Sequence, residues 1–326
     1  VPQDLPQQNH SWIFKTMPSS QAIDLSHLRQ WVGRQHTSTD TLSLRHARLM
    51  AATLGQNPES LKAQDPLPPL WHWLYFLEGL PPEQLGRDGH PARGGFLPPV
   101  PLANRMWAGG RLEFFAPLRL DGQAEKRSQV LSVEHKSGRS GDLVFVTVEH
   151  EVWQGGERAL REEHDIVYKN PTPAQAQKPN NAATPPELGQ WQRQCRPDTT
   201  LLFRYSALTF NGHRIHYDQD YCREVEGYDH LVIHGPLNAT LLAALAQDAL
   251  QELAKTAGDG NGNGKVQGQG QGQAQKQLRH FSYRGLQAAT LGTALHYHAN
   301  AEKDHLNLWV HRDDGVISMQ AEARWD

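Results

Sequence analysis

Residues 206–218 read Ser206-Ala-Leu-Thr-Phe-Asn-Gly-His-Arg-Ile-His-Tyr-Asp218. After a short polar turn of helix, residues 228–242 read Tyr228-Asp-His-Leu-Val-Ile-His-Gly-Pro-Leu-Asn-Ala-Thr-Leu-Leu242. A polar loop, an apolar run and the start of an apolar helix thus follow one another closely. The loop offers Asn211, His213, His216 and Asp218, side chains that handle protons or orient water. The run Leu231-Val232-Ile233 delivers the chain to His234-Gly235-Pro236. Proline suits the first helical position, where its missing N–H would have no partner. Leu237, Leu241, Leu245 and Ala249 then recur with helical spacing, giving the helix an apolar face. A buried helix whose N-terminus points at a polar loop is an oxyanion site in waiting.

These residues carry a resemblance. The loop and the His234-Gly235 helix start are similar to those of MaoC-type (R)-specific enoyl-thioester hydratases, which have the hot-dog fold and an Asp-x-Asn-Pro-x-His loop. Asn211 falls at the Asp of that pattern, His213 at its Asn and His216 at its His. The form Phe-Asn-Gly-His-Arg-Ile-His-Tyr-Asp resembles more closely the branch holding mesaconyl-CoA and itaconyl-CoA hydratases and mitochondrial 3-hydroxyacyl-thioester dehydratases. The segment from Trp71-His-Trp to Met106-Trp-Ala-Gly-Gly110 resembles the N-terminal half of that branch, which looks onto the active site from the partner domain. Pro-Arg-Arg-Met-Trp is the usual form there, and this chain has Ala103-Asn104-Arg105-Met106-Trp107.

Bulk properties narrow the classes. A chain of 326 residues holds two domains of ordinary size. A net charge of −3 gives no general pull toward nucleic acid or anionic membranes. No apolar run is long enough to span a bilayer. The first twenty residues lack a secretory core, and two cysteines, Cys195 and Cys222, are too few for a disulfide framework. A cytoplasmic location is the simplest expectation, with the mitochondrial matrix open if a leader has been removed.

Along the chain, residues 24–33 read as a short helix closed by Gly33, and residues up to Leu54 as a second, with Leu44, Ala47, Ala51 and Leu54 buried. Trp71, Trp73, Tyr75 and Phe76 read as packing anchors rather than ligand contacts. Residues 86–102 form a long Gly/Pro-rich loop of a kind that is functional when held by apolar anchors, here Phe96, Leu97 and Val100. Gly109-Gly110 admits close approach of a ligand or another backbone. Leu112 to Leu118, Val144 to Val152 and residues 158–168 read as strands, with a turn at 138–142. The expected organisation is an N-terminal hot-dog unit over 1–170, a linker over 171–197 and a C-terminal catalytic unit over 198–326. The Gly/Gln/Asn-rich stretch 258–275 is expected to be a disordered insertion. The fold class is α+β: a tandem hot-dog with antiparallel sheets each wrapped around a central helix.

The chemistry implied is reversible hydration of an enoyl thioester. It needs a base for water, an acid for the α-carbon and oxyanion donors. His216 is the candidate acid/base, Gly235 N–H the oxyanion donor, and Asn211 the residue that orients water, since an amide takes no proton. Asp218 is the alternative second base, and a non-catalytic acyl-thioester binding module is the alternative of another class. His213, His234, Arg105, Trp107 and Arg284 are assigned to substrate or CoA, Arg284 by its resemblance to an arginine near the start of a C-terminal strand. The expected partner is an acyl-CoA or acyl-ACP thioester, with no nucleic acid, no membrane, and a homodimer allowed. No cofactor is expected beyond the CoA of the substrate. No metal is expected either: His213-x-x-His216 and His296-x-His298 lack further ligands at a zinc spacing. The expected acyl group is short, branched and carboxylate-bearing (itaconyl-CoA or mesaconyl-CoA to citramalyl-CoA), the alternative being a fatty acyl chain.

Overall fold

The strands that the alternation marks out join into one sheet. In a computed structural model, which describes residues 22–138, 141–170, 186–259 and 277–326, the N-terminal half contributes five strands. After the short helix α1 (Leu25–Leu28) come β1 (Gln35–Thr41), α2 (Leu44–Thr53), β2 (Asn104–Phe114), β3 (Gln123–Gly138), β4 (Gly141–Gln154) and β5 (Glu157–Lys169). The C-terminal half adds β6 (Trp191–Cys195), α3 (Thr199–Leu208), α4 (Gln219–Tyr221), α5 (Gly235–Asp259), β7 (Leu278–Gly285), β8 (Leu295–Ala301), β9 (His305–Arg312) and β10 (Ile317–Trp325). The order across the sheet is β1-β3-β4-β5-β2-β7-β10-β9-β8-β6, with every pair antiparallel.

The halves meet at β2 and β7, where Gly109 faces Arg284 and Gly110 faces Tyr283. A Cβ on Gly109 would stand 2.7 Å from the Tyr283 carbonyl, and one on Gly110 would stand 2.6 Å from the Tyr283 hydroxyl. The close approach that these glycines permit is therefore to a neighbouring strand. Trp107 Nε1 donates to Tyr283 Oη across the same seam at 2.7 Å.

α5 is the central helix of the C-terminal half. Leu237, Ala239, Leu241, Leu242, Ala243, Leu245, Ala246, Ala249 and Leu250 are all buried, so it is apolar nearly all round over these turns, rather than on one face. The N-terminal half holds no helix of that length among its described residues. Its strands are covered by α2 and the turn Trp71–Leu74, and by Val100 and Leu102 of the long loop, which pack with Val130, Val144, Val146 and Tyr168. Trp71, Tyr75 and Phe76 are buried core residues, as their packing role requires.

Two elements depart from the sequence expectation. β1 (Gln-His-Thr-Ser-Thr-Asp-Thr) has no apolar residue, yet it pairs in register with β3 as the edge strand. Within the stretch read as a linker, Trp191–Cys195 forms the opposite edge, paired with β8. Residues 171–185 of that linker, and almost all of the 258–275 insertion, lie outside the described residues. Cys195 and Cys222 are both free thiols.

A buried polar cluster sits in the N-terminal half. Glu162 of β5 accepts from His72 Nε2 at 2.9 Å and from Trp73 Nε1 at 3.0 Å. Burial opposes ionisation of Glu162, but the His72 hydrogen bond and the histidines around it outweigh burial and hold its pKa down to about 2.

Candidate active site

Local rules shape the loop that carries the polar residues. Asp198 caps α3 by accepting from Leu201 N–H at 2.7 Å. The helix ends on Phe210 in the left-handed region (φ 48°), and Asn211 N–H turns back to the Ser206 carbonyl at 2.8 Å. Asn211 Oδ1 then accepts from His213 N–H at 3.0 Å, a side-chain turn that leaves the amide group at the cleft wall. The next three residues, Arg214–His216, form a 3₁₀ turn that brings His216 under the end of the Leu231-Val232-Ile233 run.

His216 Nδ1 lies 2.7 Å from the Val232 carbonyl. A carbonyl only accepts, so Nδ1 carries the proton and Nε2 presents a lone pair. Burial pushes the His216 pKa down to about 3, so the ring is neutral at pH 7 and free to take a proton. His234 is fully buried; it stacks on His216 with centroids 3.6 Å apart, and its Nε2 is 2.8 Å from Ser206 Oγ. It does not line the cleft, which corrects the substrate-binding role expected for it: His234 braces His216 from behind. Gly235, the first residue of α5, does line the cleft, and a Cβ there would meet nothing within 4 Å. A thioester oxygen therefore has room beside its N–H at a helix N-terminus.

The cleft encloses about 1130 Å³ and is walled by both halves. Asn211, His213, His216 and Gly235 come from the C-terminal half, Arg105 and Trp107 from β2, and Arg284 from the end of β7. These expected site residues are thus brought together. Asp218 is not: it caps α4 by accepting from Tyr221 N–H at 3.0 Å and pairs with Arg214 at 2.7 Å. Those partners, the Tyr221 N–H foremost, hold its carboxyl below the usual range, and the alternative of Asp218 as second base loses its geometry.

Two residues of the long Gly/Pro loop not singled out by the sequence stand at the site, His90 on the cleft wall and Asp88 beside Arg105. That loop is bolted to the polar loop. Arg214 N–H donates to the Asp88 carbonyl at 2.9 Å, and a Cβ on Gly89 (φ +86°) would stand 2.0 Å from the Gly212 carbonyl oxygen. The readable signal was the pairing of Gly89 with His90 in a loop held by apolar anchors. Gly89→Ala should lower stability by at least about 1 kcal/mol from the positive φ alone. The clash adds to this and separates the loops, so turnover should fall by more than stability loss explains. Melting curves and hydration rates of the same preparation check this; wild-type values for both would mean that the loops are not in contact.

Comparison with known proteins bears on the family and the fold. The family model described as hydroxyacyl-thioester dehydratase type 2 (Htd2) matches residues 70–257. A mesaconyl-C(4)-CoA hydratase of Chloroflexus aurantiacus is 48% identical over 217 residues, covering 67% of this chain and 77% of that protein. The mitochondrial hydroxyacyl-thioester dehydratase type 2 of Saccharomyces cerevisiae is 28% identical over 200 residues, covering 56% of this chain and 66% of that protein. In fold alone, a MaoC-like dehydratase from Phytophthora capsici superposes with a TM-score of 0.63 at 12% identity, covering 93% of this chain and 98% of that one. The chain therefore belongs to the hydroxyacyl-thioester dehydratase type 2 family, a hydro-lyase of the MaoC-like double hot-dog type.

Proposed function

We propose that the enzyme adds water reversibly to a short, branched 2-enoyl-CoA bearing a free carboxylate, of the mesaconyl-CoA kind, to give citramalyl-CoA; itaconyl-CoA, whose double bond lies one carbon further from the thioester, gives the same product only if the proton goes to its γ-carbon. His216 Nε2 takes a proton from a water held by the Asn211 amide as the water oxygen bonds to the β-carbon. Negative charge then builds on the thioester oxygen, and the Gly235 N–H at the start of α5 receives it. The proton on His216 passes to the α-carbon, which returns the imidazole to its neutral form.

The observation that carries the substrate class is the Arg105 guanidinium. It is nine-tenths buried yet lines the cleft on the side of His213, which stands 5.5 Å from His216 between ring centroids. Its hydrogen bonds are long, 3.4 Å to Asp88 and 3.3 Å to the Pro91 carbonyl, and the Tyr168 hydroxyl lies beside it. By contrast, the neighbouring Arg93 donates to three backbone carbonyls, those of Val100, Leu102 and Ala103. A cation so loosely held near the reacting end suits a carboxylate-bearing acyl group, where a fatty chain would call for an apolar wall.

A panel of enoyl-CoA thioesters, assayed for hydration and dehydration, tests this reading. Mesaconyl-CoA and itaconyl-CoA should exceed crotonyl-CoA and octenoyl-CoA in kcat/KM by about 10-fold or more, as hydrogen bonds to charged groups allow. Arg105→Met should remove that preference. Faster turnover of octenoyl-CoA would favour the fatty-acyl dehydratase reading, to which the family description also lends support.

A further inference from the structure

Asp88 poses a difficulty for a carboxylate subsite built on Arg105 alone. Its carboxylate stands 3.4 Å from Arg105, so the two charges largely cancel. An entering carboxylate would meet a site of no net charge and an acidic neighbour. Something else must supply donors, and the structure assigns that task to the loop of the N-terminal half.

The turn before His90 is closed by Gly86 N–H donating to the His90 carbonyl at 2.7 Å and by His90 N–H donating to Asp88 Oδ1 at 3.1 Å. Together with the Gly89–Gly212 contact, this holds the His90 imidazole at the cleft wall, its centroid 4.5 Å from that of His213. Among the described residues neither imidazole has a hydrogen-bond partner. Neither ring's nitrogens are among the enclosed, unpaired atoms, so both present polar edges to the cavity. Two uncommitted histidines and a half-committed arginine on one stretch of wall form a donor set for one anion.

We propose that His90 is a specificity-determining residue which, with Arg105 and His213, holds the free carboxylate of the acyl group. The inference rests on the substrate class proposed above. The groups facing His90 are Arg105 of β2, His213 and His216 of the polar loop, and Asp88 of its own turn. Burial first, then the Arg105 charge, holds the His90 pKa well below its usual value. His213 is likewise pushed down to about 4, by burial above all. A carboxylate within hydrogen-bond range favours the charged form and raises a neighbouring imidazole by about 1–3 pH units. Binding of a carboxylate-bearing ligand therefore takes up a fraction of a proton and tightens as pH falls toward 6; binding of an uncharged acyl group does neither.

Titration calorimetry of the full chain with two unreactive probes, methylsuccinyl-CoA and butyryl-CoA, tests this. Measured at pH 6.5 in two buffers of different ionisation enthalpy, it reads affinity and proton uptake together. The wild type should bind methylsuccinyl-CoA about 10-fold more tightly than butyryl-CoA, with proton uptake for the former alone. His90→Gln should lose most of that preference and part of the uptake while leaving butyryl-CoA affinity within about 2-fold, and His90→Phe should do the same. Unaltered butyryl-CoA affinity shows that the variants fold. If the preference and uptake survive in both His90 variants but vanish in Arg105→Met, the role given to His90 is wrong and the substrate class stands. If the wild type shows no preference at all, both fall.

Discussion

Replacement of His216 by glutamine should reduce enoyl-CoA hydration by about 10²–10⁴-fold, the usual contribution of a general acid–base group. Glutamine can still donate to the Val232 carbonyl, so the loop keeps its internal bond, but an amide presents no basic lone pair to water. The loss should fall on kcat, with thioester binding little changed, because Gly235 and the rest of the cleft wall are untouched. The wild-type rate should not decline from pH 8 to pH 5 through this residue. With a pKa of about 3 the imidazole stays neutral over that range, and base function is lost only as pH approaches that value. Steady-state rates of both proteins across this range decide it. Turnover of His216→Gln within a few-fold of wild type would remove His216 from the chemistry.

Acid should unfold this protein well above the pH at which its carboxylates protonate. His216 and His150 have pKa values pushed down to about 3 and His213 to about 4, in each case by burial first. The unfolded chain binds protons at these histidines near pH 6.5, and the folded chain does not until much lower pH. Between those limits the unfolded state holds more protons, so stability is full above pH 6.5 and falls as pH drops below it. Each such histidine adds up to about 1.4 kcal/mol per pH unit, and three together approach about 4 kcal/mol per pH unit between pH 6 and pH 4. That is large against a typical total of about 5–15 kcal/mol. Glu162 acts in the same direction lower down, since its depressed pKa makes its contribution vanish as pH falls from about 4 toward 2. Urea midpoints at pH 7.5, 6, 5 and 4 measure the slope. Removing one titrating ring in His216→Gln should lower it by about one proton. Equal midpoints at pH 7.5 and pH 5 would show that these rings are not held neutral inside the fold.

Much of the site could be read from residue order because local rules dominate there. An amide at 211 shapes its own turn, and Pro236 and the apolar spacing behind it start a helix at Gly235 whatever the surroundings. The antiparallel strands of the N-terminal half announce themselves by alternation, as Val144, Val146, Val148 and Val152 do on β4. Side-chain periodicity is a property of the chain itself, and so is the loop-then-helix order that carries the family resemblance.

What the order of residues could not decide is which groups share a wall. β1 lacks an apolar alternation because it is an edge strand held by backbone hydrogen bonds, which every sequence offers alike, and β6 at the other edge turns only Trp191 and Cys195 to the core. From sequence, His216 in its loop and His234 before its helix are both expected to face the substrate. Only packing places His234 wholly inside, stacked on His216, and leaves His216 with a nitrogen toward the cleft. Asp218 looked available until the fold gave it Arg214 and the Tyr221 N–H as partners. Arg105, Asp88 and His90 stand beside His213 because two glycines, far apart in the chain, let two loops touch where any side chain would hold them apart. Helix starts and strand faces come from interactions within a few residues and are legible in the chain; which charged groups line this cleft comes from contacts between halves, and only the tertiary structure sets that.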